Sequence, residues 1–170
     1  MWLVGCGQQA GTPAKHPWSS FKVGSYVKMR MTSDMNLAGR QMNTSSEIKQ
    51  TLVELTATQA VVEFETTTMG KTMTTRKEFP LSVTDISTSL PNRPSVEVRS
   101  KKTGTETLTV GGKSVNCTWT EGSVGQGATN AVTKIYRTEQ IPGFIAKMIT
   151  KTTGGANANI TMEAVEFLAK

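Results

Sequence analysis

The chain has 170 residues, of which 36% are hydrophobic and 19% charged, a composition typical of one globular domain with its own core. It contains no run of about 18 apolar residues, so no segment of it is predicted to cross a bilayer as a helix. The net charge is +6, but the Lys and Arg residues are scattered and few aromatic residues accompany them. A nucleic-acid-binding surface with stacking aromatic side chains is therefore not expected.

The amino terminus has the features of a lipidation signal. Leu3-Val4-Gly5-Cys6 resembles the bacterial lipobox, in which a cysteine thiolate accepts a diacylglyceryl group. The Gly, Gln, Thr and Pro residues that follow are typical of a flexible tether. We therefore predict a signal-peptide remnant at residues 1–6, a tether at 7–20 and one β domain at 21–170. The alternative is that Cys6 is an ordinary residue near a chain end.

Few side chains are suited to catalysis or metal binding. The single histidine, His16, excludes a two-histidine metal site, and Cys117 has no C-x-x-C partner. Glu63 and Glu65 share one face of a predicted strand, but carboxylates on a threonine-rich strand are usually solvated. We expect no catalytic residue, no metal and no cofactor. Cys117 is expected to be a buried free cysteine, with a reactive thiol as the alternative.

Alternation of apolar and polar residues predicts a mostly β protein with little helix. In the first predicted strand, residues 22–34, Val27, Met29 and Met31 share one face. The fold expected is a single curved antiparallel sheet, or an incomplete barrel, of about nine strands. The other strands are predicted near residues 46–56, 60–64, 69–78, 106–110, 113–120, 131–139, 143–152 and 158–168.

Two longer connections interrupt this pattern. Pro91 and Pro94 lack a backbone donor, so residues 85–103 are predicted to be a connection with a short edge piece near 96–99. The glycine-containing residues 122–130 are predicted to be a mobile loop.

Methionine is frequent, with nine residues. Adaptable methionine side chains suit an apolar cavity that accepts variable ligands, but they equally suit an ordinary core with irregular gaps. Met29, Met31, Met69, Met73, Met148 and Met162 are predicted to point inward. The residues that we expect to line a ligand site, each with core packing as its alternative role, are Val27, Met29, Met31, Phe64, Met73, Trp119 and Met148.

Short motifs spread over most of the chain are His16-Pro17-Trp18, Gly24-Ser25-Tyr26-Val27, Gly112-Lys113, Lys134-x-Tyr136 and Ile141-Pro142-Gly143. With the lipobox, they resemble a group of small bacterial lipoproteins, a likeness that implies export but no particular activity. The predicted layout also resembles the open half-barrel of periplasmic lipoprotein carriers, which hold acyl chains on a concave sheet. The second likeness is a fold analogy only, and fold does not determine function.

These features together predict a non-catalytic domain of the cell envelope, exported and attached to a membrane through a lipid on Cys6. Its expected ligand is an apolar or acylated molecule on the concave face of the sheet. The alternative is a structural or protein-interaction module of the envelope without a small ligand, whose partner the sequence does not identify. A hydrolase is the least expected function, because convergent titratable residues are missing.

Overall fold

The computed structural model describes residues 16–37, 39–81, 98–126, 129–154 and 157–170. Within these residues the chain forms nine β-strands and no helix, which confirms the predicted mostly β fold. The strands are β1 (Tyr26–Leu37), β2 (Arg40–Leu55), β3 (Gln59–Thr68), β4 (Lys71–Pro80), β5 (Val98–Val110), β6 (Lys113–Gln126), β7 (Thr129–Arg137), β8 (Ile145–Thr153) and β9 (Asn157–Leu168).

All nine strands belong to one antiparallel sheet in the order β4-β3-β2-β1-β9-β8-β7-β6-β5. The first and last strands pair in its middle, so the two meanders β1–β4 and β5–β9 join along the β1–β9 ladder. The end strands β4 and β5 do not pair with each other, and the sheet is therefore not closed.

The second half of the sheet curls over, because β5 contacts β9, four places away in the strand order. This approach involves the turn between β5 and β6, where Gly111 has a φ of +55° and a Cβ built on it would lie 3.4 Å from the carbonyl oxygen of Val165. The hairpin tip thus packs directly on the backbone of β9.

The strands extend further than the sequence pattern predicts. Residues 122–130 were expected to form a mobile loop, but β6 continues to Gln126 and β7 begins at Thr129. That prediction was wrong because cross-strand pairing continues in register up to Gln126 and Thr129, so the ladder supports glycines that local propensity disfavours. Of the predicted 85–103 connection, residues 82–97 lie outside the described residues, whereas β5 already begins at Val98.

One end of the sheet is covered by the segment before β1 and by the β7–β8 connection. Trp18, which was assigned to the tether, is 5% exposed, and Ile141 is completely buried. The two segments contact each other, since the Gly143 N–H donates to the Pro17 carbonyl at 3.4 Å. A Cβ on Gly143 would lie 3.5 Å from the Trp18 ring and 3.7 Å from Oε1 of Gln50. The two covering segments therefore pack against the face of the sheet on which Gln50 lies.

Candidate functional site

Strand register assigns every strand side chain to one of two sheet faces, because successive residues of a strand alternate. Met31 of β1 lies opposite Met162 of β9, which lies opposite Met148 of β8. Tracing the register through the other strands places every methionine of the described strands on the same side. This surface, called the methionine face here, carries Met29, Met31, Met35, Met42, Met73, Met148 and Met162.

The opposite surface, called the charged face here, carries every carboxylate of the described strands. Along β1 and its neighbours, Arg30 lies opposite both Glu47 and Glu163. The full set is Asp34, Glu47, Glu54, Glu63, Glu65, Glu78, Glu106, Glu121, Glu163 and Glu166.

Ion pairs between described residues occur only on the charged face. Nζ of Lys28 lies 2.9 Å from Oε2 of Glu47, and Nε of Arg76 lies 2.8 Å from Oε2 of Glu63. The remaining pairs are Arg30–Glu47, Lys49–Glu65, Lys102–Glu121, Lys134–Glu106 and Lys147–Glu163. Because these side chains are partly exposed, each pair contributes about 0–1 kcal/mol. The charged face is exposed around these pairs, but in β5, β6 and β7 it also carries the buried side chains of Val110, Val115, Cys117 and Tyr136.

Basic residues on the methionine face have no such partners. Arg40, Lys71, Lys77 and Arg137 belong to this face by register, and none of them forms an ion pair with another described residue. Lys77 instead places its Nζ 5.7 Å from the centre of the Phe64 ring. The methionine face is consequently positive wherever it is charged.

Exposure along the methionine face rises from the covered end of the sheet toward its open part. Val27 and Met29 are both 2% exposed and belong to the packed core. Met31 and its cross-strand neighbours Met162 and Met148 are half-buried. Met42 is 47% exposed and Met73 is 71% exposed. An apolar strip therefore leads from the core to solvent on one side of the sheet.

Six of the seven residues expected to line a ligand site share the methionine face, and Trp119 does not. The row that contains Met31, Met162 and Met148 continues through Ile135 to Thr120, so the neighbouring Trp119 faces the other way. The six are Val27, Met29, Met31, Phe64, Met73 and Met148. Val27 and Met29 are too deeply buried to touch a ligand unless the core opens. Met69, expected to point inward, lies in the β3–β4 turn and is 89% exposed.

Trp119 instead belongs to a cation–π cluster on the charged face. Nζ of Lys134 lies 4.1 Å from the centre of the Trp119 ring system, 4.8 Å from that of Tyr136 and 3.8 Å from Oε2 of Glu106. A hydrogen bond with Tyr136 and the nearby carboxylates raise the pKa of Lys134, so its ammonium stays charged. The cluster holds a cation between two aromatic rings.

Two open grooves flank the sheet. One of about 800 Å³ has a mixed lining that includes Thr105, Glu106, Asn116, Arg137 and Phe144. A smaller groove of about 340 Å³ lies at the other end of the strands. Its lining includes Asp34, Asn36, Lys151, Asn157 and Asn159.

Histidine and cysteine each occur once among the described residues, as His16 and Cys117. No group of three or more His, Cys, Asp or Glu residues in this part of the chain is placed to hold a metal ion. Cys117 is buried, and burial followed by the charge of Glu106 raises the pKa of its thiol. Among the same residues, no helix has the length and apolar character needed to cross a membrane.

Comparison of the chain with models of protein families, with curated protein sequences and with solved structures found no significant match. The chemistry of the two faces is therefore the basis for a functional proposal.

Proposed function

We propose that this protein is a non-catalytic lipoprotein domain of the cell envelope that binds an apolar or acylated ligand on its methionine face. The observation that carries the proposal is the segregation of side chains. Every methionine of the described strands lies on one face, and every carboxylate of those strands lies on the other.

Methionine is suited to this role because its unbranched, polarizable side chain adapts to apolar partners of different shape. A plain core explains the buried Met29, but it does not explain Met42 and Met73, which are 47% and 71% exposed on the same face. Exposed apolar side chains that continue a half-buried strip are typical of a binding surface. Because the methionine face has no carboxylate from the described strands, a ligand that covers this strip does not remove water from an acidic side chain of those strands. The free-energy cost of desolvation on binding is therefore lower.

Membrane attachment is proposed from the lipobox alone. Leu3-Val4-Gly5-Cys6 and the start of the tether lie outside the described residues. A lipid on Cys6 would keep the domain close to a membrane that contains its ligands. Intact-mass measurement on protein isolated from its native membranes tests this proposal. A mature chain that starts at Cys6 and carries the added mass of acyl groups is the expected result, and an unmodified Cys6 contradicts it.

Ligand binding is tested by extracting the full chain, purified from a membrane-containing host, with organic solvent and analysing the extract by mass spectrometry. We expect a stoichiometric apolar or acylated compound in the wild-type protein. Met31→Glu places a charge in the methionine row and should abolish retention of the compound. Thr32→Glu, one residue further along β1 on the charged face, is the matched control and should retain it. An empty wild-type protein that also ignores added fatty acids and phospholipids disproves the proposal.

A protein-interaction module is the second candidate, and the edge strand β4 favours it. Residues 71–78 are exposed throughout, and the outer edge of β4 pairs with no other described strand. Such an edge is a template for strand addition by another chain. A photo-crosslinker at Thr74 that captures one protein in native cells, together with an empty methionine face, would favour this function over ligand binding.

A further inference from the structure

One cross-strand row on the methionine face indicates what chemistry the polar end of the ligand should have. Starting at the edge strand β4, Lys71 lies opposite Thr68, Thr68 opposite Ser46, and Ser46 opposite Met31. From Met31 the same row continues to Met162 and Met148. The row is therefore basic at one end, hydroxyl-bearing beside it and apolar along the rest.

Lys71 is held at the end of this row by a tight turn. Met69 and Gly70 have φ values of 50° and 75°, which is the left-handed conformation of both central residues of a type I′ hairpin. The turn places Lys71 directly opposite Thr68. The Lys71 side chain is exposed and forms no ion pair with a described residue, so its charge is available to a ligand.

Ser46, in the middle of this row, has a buried hydroxyl group without a hydrogen-bond partner among the described residues. The residue is only 9% exposed. Buried hydroxyl groups in proteins are nearly always hydrogen-bonded, so an isolated one requires an explanation. A ligand with acceptor oxygens that displaces the adaptable side chains around Ser46 would provide the missing partner.

The apolar part of the row has room for an acyl chain. From β4 to β8 the whole row crosses five strand-to-strand steps of about 4.8 Å, roughly 24 Å, of which the apolar part from Met31 to Met148 accounts for two steps, roughly 10 Å. Met31, Met162 and Met148 are half-buried and form its second half. The row continues past Met148 to Ile135 of β7, which lengthens the apolar part to three steps, roughly 14 Å, a length that suits an acyl chain of medium length.

We propose that the methionine face binds a monomeric anionic lipid, with its negative head at Lys71, Thr68 and Ser46 and its acyl chain along Met31, Met162 and Met148. The inference rests on the proposed ligand-binding function and adds the charge of the head group and the direction of the chain. Charge complementarity supports it, because the basic residues of this face form no ion pair with a described residue and the carboxylates of the described strands all lie on the opposite face.

The experiment compares two monoacyl phospholipids of equal chain length, one with an anionic phosphatidylglycerol head and one with a net-neutral phosphatidylcholine head. Their affinities for the full chain are measured by calorimetry below the concentrations at which they form micelles. We expect the anionic lipid to bind about tenfold more tightly at low ionic strength, and the preference to shrink as salt is added.

Two single variants locate the effect. Lys71→Gln should remove most of the preference for the anionic lipid over the net-neutral one. Lys151→Gln removes the same charge from the opposite face and should leave the preference intact, since Lys151 lies opposite Asn159 on the charged face.

The outcomes separate this inference from the function on which it rests. Equal affinity of the wild-type protein for both lipids, or an equal loss of preference in Lys71→Gln and Lys151→Gln, overturns the head-group assignment and leaves apolar ligand binding intact. Binding of neither lipid overturns the head-group assignment and counts against the proposed function as well.

Discussion

Gly104 of β5 lies directly opposite Trp119 of β6, and the indole ring of Trp119 lies over the glycine. A Cβ built on Gly104 would lie 2.6 Å from Cζ2 of that ring, closer than any real contact between such atoms. The ring also carries Lys134 on its face, with Nζ at 4.1 Å. A residue without a side chain thus permits the arrangement of the whole cation–π cluster.

We therefore expect Gly104→Ala to destabilise the protein by about 1–3 kcal/mol, because Trp119 must move and the cluster must repack. The lower entropy of the unfolded alanine variant acts in the opposite direction by about 0.4–1 kcal/mol. Urea unfolding followed by far-ultraviolet circular dichroism measures the difference. Thr105→Ala, at the exposed neighbouring position, is the control and should change stability little. Unchanged or increased stability of Gly104→Ala would contradict the packing described here.

Leu52 is completely buried opposite Val62, and its truncation should be costly. Leu52→Ala removes buried carbon atoms and leaves a cavity, so we expect a loss of about 2–5 kcal/mol in the free energy of unfolding. Val23, which is 51% exposed, provides a control, and Val23→Ala should change stability by less than about 0.5 kcal/mol. Similar losses for the two variants would show that Leu52 is not in the core.

His16 should make stability depend on pH near neutrality. Partial burial lowers the pKa of His16, and its Nδ1 accepts a hydrogen bond from the Trp18 N–H at 3.4 Å. Because the unfolded chain binds this proton more readily, the contribution is fully present above about pH 6.5 and is lost as the pH falls toward the lowered folded pKa.

Thermal unfolding between pH 7.5 and 5.5 tests this expectation. The melting temperature of the wild-type protein should fall more steeply with decreasing pH than that of His16→Gln, which cannot gain a proton in this range. The carboxylates are the same in both proteins, so their protonation contributes equally to the pH dependence of the two melting temperatures. Parallel curves for the two proteins would show that His16 does not couple folding to protonation.

Cys117 should be chemically inert in the folded protein. Its side chain is 2% exposed, and burial and the charge of Glu106 both disfavour the thiolate. In the variant Cys6→Ser, which retains only this cysteine, we expect a disulfide reagent such as dithionitrobenzoate to react slowly at pH 8. In guanidinium chloride the reaction should become fast. Comparable rates in the two conditions would contradict the burial of Cys117.

Much of the local structure is predictable because a strand places alternate residues on the same side. Met29 and Met31 could be assigned to one face from β1 alone, and the Gly111-Gly112 turn was recognisable between two β patterns. The lengths of β5 and β6 were underestimated, since their outer residues are held by hydrogen bonds to a neighbouring strand and not by their own propensity.

The relationship between distant strands was decided by the tertiary structure. The sequence by itself determined which residues of one strand share a side, but a shift of one residue in pairing would exchange the two faces of the next strand. Whether Trp119 lies on the same face of the sheet as Met31 therefore depends on the pairing register of every strand from β1 through β9, β8 and β7 to β6. The separation of methionines from carboxylates, and the row that ends at Lys71, arise only when all of these pairings form together.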